Sequence, residues 1–235
     1  MPLYDQSPRV LHVAGAFLNQ EIYLHLTRHL SEHLETQTVF VPGAGDLERA
    51  STLDEKGESV PVVGGASIGS LRRPFLRIRS LRGVQDIRVT AREARINIVH
   101  SHMLFSDGLI GERIASELGV PHVVSVRTTD RHLQWRYRLT LRNKARKIAR
   151  KSAFVVFLNP CYESWGRRAL LAGGRFGRSE VVPNGVAPFW LQHQSRDLNP
   201  VRGRPRILYV GDFSRNKNLR GLMRACSILS RSLGG

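Results

Sequence analysis

Apolar residues in this chain follow two alternating rhythms. Continuous short runs at 9–14 (RVLHVA), 38–41 (TVFV), 60–63 (VPVV), 96–100 (INIVH), 122–126 (HVVSV), 154–158 (FVVFL) and 180–182 (EVV) read as buried strands. Between them the spacing turns helical. Residues 19–34 carry Ile22, Leu26, Leu30 and Leu34, with Asn19 as the expected N-cap. Residues 74–95 predict a basic helix. Residues 106–118 predict a helix opened by Ser106-Asp107, with Ile110, Ile114 and Leu118 on one face and a stop at Gly119-Val120-Pro121. Residues 131–151 predict one long basic helix with a buried stripe of Tyr137, Leu141, Ala145 and Ile148, and a shorter helix runs from Pro160 to about Ala172. Residues 42–59 are a Gly- and charge-rich loop.

Strands apolar on both faces, each followed by an amphipathic helix, mean βαβ units. The fold class expected is α/β, a Rossmann-like parallel sheet with helices on both faces, over residues 1–184. Residues 185–205 hold three prolines and no periodicity and read as a linker. A fresh strand at 206–210, a turn at Gly211 and a helix near 218–232 follow. They read as the first βα unit of a truncated second Rossmann-like domain, 206–235, whose strand lacks neighbours.

Composition narrows the picture. At 41% hydrophobic the chain is no disordered polycation. It has no run of about 18 apolar residues to span a membrane and no apolar stretch near its start to act as a secretory signal. Cys161 and Cys226 are too few for a disulfide framework or a cysteine zinc site, so a reducing cytoplasm is expected. The net charge is +17, and 31 of the 36 basic residues are arginines, which suit phosphates and carboxylates. Residues 127–151 hold ten Lys or Arg against Asp130 alone, and 72–95 hold eight Arg against Asp86 and Glu93. Arg138, Arg142, Arg146 and Arg150 recur at i, i+4, a like-charged row that fits an anionic membrane face with Trp135 near its start. Nucleic acid is disfavoured as a partner, since no helix-turn-helix or aromatic binding sheet is present.

The candidate chemistry lies at strand ends. Gly15-Ala16-Phe17 follows the first strand, where ligands of open α/β sheets bind, but it is not GxGxxG, and no P-loop occurs. Gly65-Ala66-Ser67-Ile68-Gly69 matches a nucleophile elbow, with Asp130 and His193 in the order a hydrolase needs. Against that reading, Pro74 and its basic neighbours interrupt the helix that should start at Ser67. His100-Ser101-His102 places two rings on one strand face, but no third ligand is close in sequence, so no metal is expected. A histidine there can instead hydrogen-bond a sugar or phosphate. Arg127-Thr128-Thr129-Asp130 ends the fifth strand, as a polar ligand-facing cluster or a turn with Asp130 capping the helix.

Several of these segments, in order, resemble the retaining glycosyltransferases of family 4, which have the GT-B fold of two facing Rossmann-like domains. They are residues 96–130, the stretch Val181-Val182-Pro183-Asn184-Gly185-Val186, the polar start Asn19-Gln20-Glu21, and 206–222 (RILYVGDFSRNKNLRGL). The resemblance implies an N-terminal domain that holds the acceptor and a second that holds the nucleotide-sugar. It also implies transfer with retention to a glycan or lipid-linked acceptor, cell-surface polysaccharide synthesis, no cofactor or metal, and a cytoplasmic place on the inner face of the membrane. Gly15, His102, Arg127 and Asp130 would then face the acceptor, and Lys217, with Arg215 behind it, the donor phosphates. Asp212 and Arg127 stand where the family often has arginine and histidine, and the donor-side Glu-x7-Glu is not reached. The chain alone is therefore expected to be inactive, the alternative being a non-catalytic basic module for anionic membrane or nucleic acid.

Overall fold

All seven apolar runs become strands: β1 (Arg9–Val13), β2 (Thr36–Val41), β3 (Val62–Gly64), β4 (Ile98–Ser101), β5 (His122–Val126), β6 (Phe154–Phe157) and β7 (Ser179–Val181). The structure is a computed structural model that describes residues 7–45, 60–66, 76–171, 177–186, 188–192, 207–211, 213 and 217–232, the side chains of 76–79 and 188 excepted. The strands form one parallel sheet in the order β3-β2-β1-β4-β5-β6-β7. Chain direction across the sheet reverses between β1 and β4, the switch point where such sheets bind ligands.

Helices α1 (Glu21–Ser31), α2 (Leu76–Glu93), α3 (Ser106–Leu118), α4 (Arg142–Lys151) and α5 (Pro160–Ala169) connect the strands. Alternation along β1 and β4 sends Leu11, Val13 and Val99 into a core with Val84, Ile87 and Ala91 of α2 and Ile110, Ile114 and Ala115 of α3. Each fully buried Leu, Ile or Val contributes about 1.5–3 kcal/mol. Ala14, Val39 and Val41 pack with Phe17 and with Tyr23 of α1 in a second cluster. Val124, Val126, Val155 and Phe157 pack with Leu104, Phe105 and the α4 residues Ala145, Ile148 and Ala149 in a third. Gly119, at φ 69°, ends α3 in the left-handed conformation. Asn159 Oδ1 accepts the Tyr162 N–H at 2.9 Å and starts α5, with Pro160 in its first turn.

Two expectations are corrected. Asn19 does not cap α1: Phe17–Asn19 form a separate 3-10 turn, and extended Gln20 precedes the helix with no side-chain cap. The helix expected over 131–151 is broken. A wide π-type turn (Asp130–Gln134) leads into one helical turn (Trp135–Tyr137), then a 3-10 turn (Leu139–Leu141), and only then α4. The break falls at Arg138, with φ −110° and ψ 63°. Arg142 Nε reaches back across it to the Trp135 carbonyl at 2.9 Å, taking up an acceptor that continuous helix would have satisfied. Tyr137, expected on the buried stripe, is 69% exposed as a result.

The chain divides into two compact units, residues 1–188 and 189–235, and the boundary falls within the stretch read as a linker. The second contains most of α6 (Pro188–Gln192) and all of α7 (Leu219–Ser232). Residues 207–210, read as a strand, are not in one among the described residues. An isolated strand has nothing to satisfy its N–H and C=O groups. None of the described helices is long and apolar enough to cross a membrane.

Candidate functional site

Parallel strands end together, so the switch point gathers the chemistry carried just inside and beyond β1, β4 and β5. His12 is in register with His100. The His102 N–H bonds the Val13 carbonyl at 3.0 Å, which carries the β1–β4 pairing one step past the strand. Three imidazoles therefore pack together, with centroids 5.6 Å (His12–His100), 5.3 Å (His12–His102) and 4.2 Å (His100–His102) apart. His12 Nδ1 and His102 Nε2 are 3.1 Å apart, and His100 Nε2 lies 2.9 Å from Ser125 Oγ. Burial lowers the His12 pKa to about 4, the Gln37 side chain acting weakly the other way, and holds His100 and His102 well below the ordinary value. At neutral pH all three rings are uncharged.

Arg127 is gripped from three sides. Its Nε donates to the His102 carbonyl at 2.9 Å and its Nη1 to Asn184 Oδ1 at 3.2 Å, while the guanidinium lies 4.7 Å from the centroid of the Tyr23 ring. Tyr23 in turn stands edge-on to His102 at 5.1 Å. Asp130 does something different from facing a ligand. It is fully buried, and its carboxylate accepts the N–H groups of Leu104 (3.0 Å), Phe105 (3.1 Å) and Arg127 (3.0 Å). Burial raises its pKa to about 6 against the pull of those N–H groups and of Arg127. It ties the loop after β4 to the end of β5. The carboxylate is thus spent on the backbone and cannot serve the hydrolase reading. Ser67 and His193 of that reading lie outside the described residues.

The other expected site residues are spread more widely. A Cβ on Gly15 would sit 3.1 Å from Asp107 Oδ1, so the first turn packs against the start of α3. Arg142 and Arg146 lie 5.0 and 5.2 Å from the Trp135 ring centroid. Arg146 Nε and Arg150 Nη2 donate to the carbonyls of Ala169 and Leu171, at 3.0 and 2.5 Å, tying α4 to the end of α5. Arg138 is half-buried at the helix break. Lys217 is exposed just before α7, and Arg215 lies outside the described residues. Sequence reading passed over His12, Tyr23 and the Asn184 contact to Arg127. His12 had a signal, since strands around a switch point are neighbours and both carry a histidine near the carboxyl end. Tyr23 had none, because its partner comes from β5.

A family model described as a glycosyl transferase 4-like domain matches residues 21–185. No curated protein matches the sequence. Among solved structures, the chain is similar to a sucrose-phosphate synthase from Thermosynechococcus elongatus, with a TM-score of 0.58 at 13% identity over 75% of this chain and 48% of that one. It is also similar to a UDP-glucosyltransferase from Polygonum tinctorium, with a TM-score of 0.51 at 17% identity over 81% of this chain and 57% of that one. The chain thus spans about half the length of these neighbours. At such identities the likeness is one of fold, the Rossmann-like lobe of a GT-B architecture.

Proposed function

The chain belongs to the glycosyl transferase 4-like family, and on that premise we propose that it is the acceptor-side lobe of a retaining glycosyltransferase. The reaction moves a sugar from a nucleotide-sugar to a glycan or lipid-linked acceptor in cell-surface polysaccharide synthesis, at the cytoplasmic face of the membrane. One observation carries this reading, the clamped Arg127. A guanidinium offers five N–H donors in a fixed plane. Two of its nitrogens are held by His102 and Asn184, which fixes the plane and leaves the remaining donors for an acceptor's hydroxyl or phosphate. Such a site works by positioning and by stabilising charge rather than by a protein nucleophile. In the second unit, Lys217 is the donor-phosphate contact of this reading, with Arg215 as the weaker candidate.

Peripheral membrane binding is the second part of the proposal, supported by the broken segment after β5. It exposes Leu133, Tyr137 and Leu139 (51%, 69% and 61%) among Arg131, Arg136 and Arg138. Apolar tips in a basic surround suit an anionic interface.

The test is transfer of radiolabel from UDP-glucose, UDP-N-acetylglucosamine and GDP-mannose into lipid and glycan fractions by the full protein that carries this chain. Wild type is compared with Arg127→Ala. Transfer reduced by about 100- to 1,000-fold in the variant is expected, the range for losing one preorganised donor. Undiminished transfer would remove Arg127 from the site. No transfer from any donor would favour the non-catalytic basic module instead.

A further inference from the structure

We propose that His12, His100 and His102 form a binding site for a borderline divalent cation, zinc above all, held by three imidazole nitrogens at the switch point. The proposal does not rest on glycosyl transfer. One nitrogen from each ring lies within 4.8 Å of the other two. The His12 Nδ1 to His102 Nε2 separation of 3.1 Å is close to the roughly 3.3 Å between two nitrogens that each sit about 2.0–2.1 Å from a tetrahedral zinc.

The outer sides of two of the three rings face groups that can accept an N–H, as metal ligands require. A ligating histidine presents one nitrogen to the ion and donates the other N–H to a fixed acceptor. His100 Nε2 faces Ser125 Oγ at 2.9 Å, which leaves Nδ1 for the ion. Beside His12 stands Gln37. Gln37 Nε2 donates to the Thr27 carbonyl and to Ser31 Oγ, both at 2.7 Å, so Oε1 is the atom it has left to offer. That Oε1 and His12 Nε2 are each buried without a hydrogen-bond partner, as is His102 Nδ1. An N–H on His12 Nε2 matches the acceptor of Gln37 and puts a lone pair on Nδ1, facing His102 Nε2. Two imidazole nitrogens that close need either one shared proton or a cation between them.

The donor set selects the ion. Three neutral nitrogens with no carboxylate among them suit zinc, cobalt or nickel and not magnesium or calcium. His12 and His102 are about 1% exposed and His100 is half-buried. Occupancy would lock β1 to β4, and through the His102 carbonyl it would lock Arg127 as well.

The experiment strips the full-length chain with EDTA and titrates zinc against a chromophoric chelator, with the visible absorption of bound cobalt as a second readout. The variants are His12→Gln and His102→Gln. A control, His25→Gln/His29→Gln/His33→Gln, removes the helical i, i+4, i+8 histidines of α1 and its C-terminal end. One tightly bound zinc per chain is expected, weakened about 100-fold or more in each site variant and unchanged in the control. Ring-nitrogen NMR of the wild type keeps the test decisive should a variant misfold, because zinc must shift His12, His100 and His102 and leave the α1 histidines in place. Absence of stoichiometric zinc in the wild type, binding that survives both site variants, or binding lost in the control would each overturn the proposal and leave a shared proton.

Discussion

Two buried residues pull the pH dependence of stability in opposite directions. His122 is fixed between Ser101 Oγ (2.9 Å) and Ser152 Oγ (3.0 Å), and burial lowers its pKa from 6.5 to about 4. Between those values the unfolded chain holds a proton that the folded one has released. Stability therefore falls as pH drops from about 6.5 to 4, by about 3 kcal/mol for this group. Asp130 rises from 3.8 to about 6, so the folded state keeps a proton that the unfolded chain loses. Its contribution is present at low pH and is lost as pH rises from about 4 to 6, again by about 3 kcal/mol. Metal-free His12 adds to His122, and the histidines win. The protein should lose stability on acidification below about pH 6. In urea titrations from pH 4.5 to 7.5, His122→Gln should flatten that loss and Asp130→Asn should steepen it. Parallel curves for all three proteins would contradict both assignments.

At the scale of the element, α3 lies against the sheet through glycine. A Cβ on Gly111 would collide with Ser101 Oγ and come within 3.0 Å of His122 Nε2 and 3.3 Å of Val99 Cγ1, all on or beside the central strands. Gly111→Ala is therefore expected to destabilise the protein by about 1–3 kcal/mol, the usual cost of overpacking, despite alanine's better helix propensity. Thermal unfolding of the purified variant checks this, and a raised midpoint would mean that helix propensity wins. The same contacts show what the sequence could and could not reveal. Every strand was legible, because a run such as FVVF needs cover on both faces wherever it sits. The helix read over 131–151 was not, since its spacing continues through Arg138 while the break there is spanned by Arg142 reaching back to the Trp135 carbonyl. His12 beside His100 depends on register between strands far apart in sequence. Spacing within one segment carries no information about that.

For the whole molecule the dominant property is the +17 charge. Attraction to an anionic surface falls within about 10 Å at 0.1 M salt, so it acts at contact. The protein should float with phosphatidylglycerol-containing vesicles at low salt, float less as salt rises, and ignore neutral phosphatidylcholine vesicles. Leu133→Ser with Leu139→Ser should weaken flotation at least about tenfold, since each buried leucine is worth about 1.5–3 kcal/mol. Retention at high salt without those leucines would argue against the exposed tips as the docking point. Stronger retention on DNA than on vesicles would favour the nucleic-acid form of the basic module.

The strand order also sets a clock. Val10 pairs with Gln37 on one side, but its partner on the other is Ile98. A ribosome adding roughly 5–20 residues per second needs about 4–18 s to make the chain between Val10 and Ile98. For that interval β1, an inner strand of the finished sheet, is an edge, with Leu11 and Val13 lacking the helices that later cover them. The nascent chain should therefore depend on a chaperone at this stage. Synonymous codons that slow translation between β3 and β4 should lengthen that exposure, and the yield of soluble protein should fall although the finished molecule is unchanged.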